Sequence, residues 1–165
     1  MNMTKSLKHT SRRTGAVLVS LLLLLTLAVS ASAAAVKMTV GVRFWRESGD
    51  KESMADSAVD TTREATLTRQ PNGTFTLELP VKQLSSMNMT GSLTGIAIGE
   101  VNYDGTLSGD LSDGTAVLTL KNLPASVLTG SDSSKALAVT CSIKMDTILL
   151  GDIATSAKMS IWVER

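Results

Sequence analysis

Between Leu137 and Met145 the chain alternates, with Leu137, Val139, Cys141, Ile143 and Met145 set against Ala138, Thr140, Ser142 and Lys144. A side-chain period of two puts one set on each face of an extended chain, so this is a strand with one buried face. The same pattern runs from Val36, with Met38, Val40, Val42 and Phe44 on one face and Lys37, Thr39, Gly41, Arg43 and Trp45 on the other. It returns at the end, where Met159, Ile161 and Val163 oppose Lys158, Ser160 and Trp162. A chain that begins, peaks and ends on such segments is predicted to be all-β.

The segments between fit that reading. A strand over Arg63 to Arg69 faces Ala65 and Leu67 inward, Pro71-Asn72-Gly73 makes a hairpin turn, and Phe75, Leu77 and Leu79 answer on a strand that Pro80 ends. Glycines at 91, 95 and 99 interrupt the apolar series from Leu84 to Ile98, which predicts two strands with a bend or bulge between them. Asp104-Gly105 and Asp113-Gly114 flank a short strand around Leu107 to Leu111. Thr115 to Leu120 follows as an apolar strand, and Asn122 to Ser134 as a polar loop. The sum is an immunoglobulin-like β-sandwich of about eight strands, with a closed barrel as the alternative.

One stretch breaks the pattern. In Lys51 to Val59, Ser53 followed by Asp56 is a helix-start signature, the hydroxyl capping a free amide and the carboxylate lying at the positive end of the turn. Only one or two turns fit before Asp60, Thr61 and Thr62, too few to stand without packing on the sheet. The turn would group Met54 with Ala58, beside Ala55 and Val59.

The chain opens with Lys5, Lys8, Arg12 and Arg13, runs uncharged from Gly15 to Val29, and reaches Ala31, Ser32, Ala33. This predicts a secretory signal peptide over 1–33, cleaved after Ala33, and a single domain over 34–165 with no membrane span after processing. The leader takes four of the sixteen basic residues and none of the fifteen acids, leaving the mature chain at −3 with no basic stripe. Phosphate binding needs clustered cations, so nucleic acid is not an expected partner. The only histidine, His9, leaves with the leader, and Cys141 is the only cysteine. Nucleophile–histidine pairs, His/Cys zinc sites and an internal disulfide are thereby excluded, and the chain is expected not to be an enzyme. Asp104, Asp110 and Asp113 match no calcium loop, and turn chemistry accounts for them better.

The aromatic strand end followed by SMADSAV and ATLTRQPNGTFTLELPV, the later MTGSLTGIAIGEVNY and the closing LLGDIATSAKMSIW together resemble the NEAT (near iron transporter) domains of Gram-positive surface and secreted proteins. That resemblance implies an immunoglobulin-like sandwich holding haem between the short helix and the last hairpin, with iron bound by a tyrosine of a Tyr-x-x-x-Tyr motif in the final strand. The only tyrosine here is Tyr103, and the final strand offers Ile153, Ala157 and Met159 instead. A related streptococcal cell-surface haem protein holds the iron between two methionines, and six methionines remain after processing. By that resemblance Ser53, Met54, Met145 and Met159 are the cofactor-binding candidates, with Met54 and Met145 as the preferred iron ligands. For any single methionine, filling a gap in the core is the ordinary explanation. The expected function is a secreted or surface haem-binding module taking haem from, or passing it to, a haem-carrying protein. The alternative is a cofactor-free immunoglobulin-like module that binds protein or glycan at the cell surface.

Overall fold

The computed structural model describes residues 34–49, 51–86, 89–146 and 151–164. The signal peptide expected over 1–33 lies outside the described residues. Ten strands form among the described residues: β1 (Val36–Arg46), β2 (Ala65–Arg69), β3 (Phe75–Pro80), β4 (Leu84–Ser86), β5 (Met89–Ile98), β6 (Val101–Asp104), β7 (Thr106–Ser108), β8 (Val117–Leu123), β9 (Leu137–Met145) and β10 (Asp152–Val163). All pairings are antiparallel, in the order β4-β5-β9-β10-β1-β2-β3-β8-β7, with β6 paired to β5.

The sheet turns on β1. Its first half, Val36 to Val40, pairs with β2, and its second half, Val40 to Arg46, pairs with β10. Val40 therefore belongs to both ladders, and the chain beyond it peels away from β2. This curls the strands into two facing layers, the all-β sandwich that the alternation predicts. The inward sets meet between the layers: Phe44, Leu67, Leu77, Leu118, Leu120 and Met159 are fully buried. Each such side chain contributes roughly 1.5–3 kcal/mol over its exposed state.

Turn chemistry lies where the sequence places it. Gly73 takes a φ of +84° in the Pro71-Asn72-Gly73 turn, a region open to glycine and strained for other residues. Asp110 Oδ1 accepts from the Ser112 amide and hydroxyl, and Asp113 Oδ1 from those of Thr115, so both carboxylates close Asx turns. The expected break in the 81–100 region is a register shift between Leu93 and Gly95 on β5. The strand expected around Leu107 to Leu111 is only Thr106–Ser108, and two further 3-10 turns, Ala125–Val127 and Ser133–Lys135, interrupt the loop before β9. β4, β6 and β7 are only three or four residues long, and β6 is the one that the sequence expectation leaves out. Strands this short are fixed by their partners rather than by a periodicity of their own.

Candidate functional site

The Lys51 to Val59 stretch folds as a 3-10 helix over Met54–Ala58 that packs on β1, β4 and β5. Two contacts fix it to β1. The Ser53 amide donates to the Phe44 carbonyl at 2.9 Å, and the Phe44 amide donates to Asp56 Oδ1 at 2.7 Å. Both polar groups of Phe44 are thus satisfied where β1 has no strand beside it on that side.

This differs from the capping expected of Ser53 and Asp56. The Ser53 hydroxyl makes no cap and is buried without a hydrogen-bond partner among the described residues. The turn is closed by backbone instead, with the Asp56 amide donating to the Ser53 carbonyl at 3.1 Å. Asp56 reaches across to β1, and burial raises its carboxyl above the usual range while the Phe44 amide and Arg43 pull it back. Its role as the tie between turn and strand left no mark in the sequence, because Phe44 lies twelve residues earlier.

The turn also divides its apolar residues differently from the expected grouping. Ala55, Ala58 and Val59 are buried, whereas Met54 is 46% exposed. A 3-10 turn has three residues per turn rather than 3.6, so Met54 does not share a face with Ala58. The result is a free thioether at the leading end of a turn whose small residues anchor it.

Met145 ends β9 on its inward side, half-buried, opposite Gly91 of β5. Its Sδ lies over Gly91, at 2.9 Å from where a Cβ would stand. The turn that carries Met54 packs on β5, the strand whose Gly91 pairs with Met145. Met159 is elsewhere: it is 0% exposed, paired with Phe44, and sealed in the core. Toward the hairpin end of β10, Thr155 and Ile153 continue its inward face and are half-buried. The tip at 147–150 lies outside the described residues.

The remaining reactive groups are held inert. Cys141 is buried, and burial pushes its thiol up to about 12. Among the described residues no three His, Cys, Asp or Glu side chains gather as a metal site, and no helix is long and apolar enough to cross a membrane. Tyr103 lies on β6 beside Ile96 of β5, and β5 and β9 stand between it and the final strand in the sheet order.

No protein-family model and no curated protein sequence matches the chain. Among solved structures it is similar to a point mutant of the NEAT5 domain of IsdX2 in complex with heme, with a TM-score of 0.51 and 9% sequence identity, over 79% of this chain and 97% of that one. At this identity the likeness is one of fold, and the fold is a NEAT-like all-β sandwich.

Proposed function

We propose that this chain is a haem-binding module acting outside the cytoplasm, which captures or relays haem as cargo. The observation that supports it most is the exposed Met54 thioether on a 3-10 turn packed on β1, β4 and β5, in a sandwich whose solved likeness is a haem complex. The side chains fit in part. Met54 is exposed and Met145 half-buried at the end of β9, and Ile153 and Thr155 offer a half-buried wall on the inward side of β10. Ser53, buried with an unpartnered hydroxyl, stands next to Met54. Met159 does not fit, since reaching its sulfur would require opening the core around Phe44. Met54 and Met145 would be the residues that hold the iron, by thioether sulfur.

Bound between two thioethers, the iron would favour the ferrous state and a raised reduction potential. The protein's part would be to hold Met54 on a pinned turn and Met145 over Gly91. A binder fits the other groups as well, because the lone thiol is buried and the only histidine belongs to the expected leader.

Titrating the purified protein with haem and following the Soret region tests this reading. Wild type and Met159→Ala should give a low-spin spectrum, provided the latter is still folded by circular dichroism, and Met54→Ala and Met145→Ala should each lose it. A wild type that binds no haem, or Met54→Ala and Met145→Ala variants that bind unchanged, overturns the proposal. The cofactor-free module then becomes the better reading, and the absence of a tyrosine from β10 already favours it.

A further inference from the structure

The geometry points to a second binding site, on the opposite face of β10, for a neutral sugar ring of the pyranose class. Its floor is made by the divergence of β1 from β2. The ladder between them stops at Val40 and Ala65, while β1 continues alongside β10 to Arg46. Segment 59–64 does not close the gap left along Gly41, Val42 and Arg43, and the cavity there has a volume of about 210 Å³. Val42 lies two residues before Phe44 and so turns its amide and carbonyl to the same side, where no hydrogen bond from segment 59–64 reaches it.

One wall is aromatic. Trp162 is paired with Gly41, and a Cβ at Gly41 would collide with Cε2 and Cζ2 of the indole. The missing side chain lets the ring lie across the strand instead of standing up from it. A flat indole offers a stacking surface for the face of axial C–H bonds that a pyranose with equatorial hydroxyls presents. Trp45, the only other tryptophan, lies further along the same face, held by its indole N–H to Ser160 Oγ at 2.9 Å and covered by Arg43.

The charges around the cavity select the ligand class. Arg43 and Arg63 stand against Asp60, Glu64 and Glu164. An anion meets three carboxylates and a cation meets two guanidinium groups, whereas hydroxyls use donors and acceptors together. Arg63 is occupied by the carbonyls of Gly114, Thr115 and Ala116, and Asp60 by Thr62. Arg43 Nη1 is paired with Glu52 at 3.1 Å, so the free groups are the exposed carboxylates of Glu64 and Glu164 and the buried Arg43 Nε, which has no partner among the described residues. The volume falls below the roughly 300–1,000 Å³ of sites for drug-sized ligands, so the cavity accepts one ring, with any further sugar units outside it. Trp162 and Ile153 are about 30 Å apart along β10 and on opposite faces, so this site does not depend on the haem reading.

Tryptophan fluorescence tests it. A Trp45→Phe variant leaves Trp162 as the only reporter and should show a saturable change with hexasaccharides of β-1,4-linked glucose, N-acetylglucosamine or xylose. Adding Trp162→Ala, read by calorimetry, should weaken binding at least tenfold, and Glu64→Gln, which leaves the core untouched, should weaken it severalfold. Three results overturn the proposal: no response to any of the three sugars at millimolar concentration, sugar binding that survives Trp162→Ala, or saturable quenching of Trp162 by tetramethylammonium or sulfate in place of sugar.

Discussion

The Phe44 amide donates to the Asp56 carboxylate, twelve residues later, at 2.7 Å, and this bond fastens the Met54–Ala58 turn to the central strand β1. Phe44 itself is fully buried, so its amide has no access to water if the carboxylate is lost.

Asp56→Ala should therefore cost about 2 kcal/mol, while Asp56→Asn keeps an acceptor and sheds the charge that burial disfavours. Burial raises the folded-state carboxyl above its ordinary 3.8, so the native chain holds a proton that the unfolded chain has released. Wild-type stability should fall as pH rises from the ordinary value through the raised one, and Asp56→Asn should lack that fall. Urea titrations across the acid range decide it; equal pH slopes in the two proteins would remove Asp56 as the source.

Met159 and Met54 should respond oppositely to truncation. Met159→Ala opens a cavity in a fully buried site and should cost about 2–5 kcal/mol, whereas Met54→Ala at a 46% exposed position should stay within about 0.5 kcal/mol. Chemical denaturation of the two variants measures the difference. A small loss at Met159 would mean that the core around Phe44 is looser than the packing described above.

On β9, Val139 faces the core and its neighbour Thr140 faces out, paired with Ser156 of β10. Val139→Asp buries an unpaired carboxylate and should abolish folding, while Thr140→Asp should cost roughly 1 kcal/mol or less. Similar effects would place the strand with its faces exchanged.

The Cys141 thiol, buried and pushed up to about 12, should be inert to disulfide reagents in the folded protein at pH 8 and react at once in urea. Immediate stoichiometric labelling without denaturant would contradict the burial of β9.

What the sequence determined was local. The inward and outward faces of β1, β9 and β10 follow from a side-chain period of two that needs no partner to define it. The Pro71-Asn72-Gly73 turn and the Asx turns of Asp110 and Asp113 follow from preferences settled within a few residues. Even the interruption at Met54–Ala58 was legible, because no alternation survives there.

What only the tertiary structure decided were relationships between distant residues. The sharing of β1 between β2 and β10, the burial of Met159 against the exposure of Met54, the reach of Asp56 to Phe44 and the rest of Trp162 on Gly41 all join segments from twelve to more than a hundred residues apart. Ser53 and Asp56 read as a cap because a hydroxyl and a carboxylate at that spacing satisfy helix amides when nothing else competes. The amide of Phe44 did compete, and a buried donor without water gains more from a carboxylate than the end of a short solvent-facing turn does.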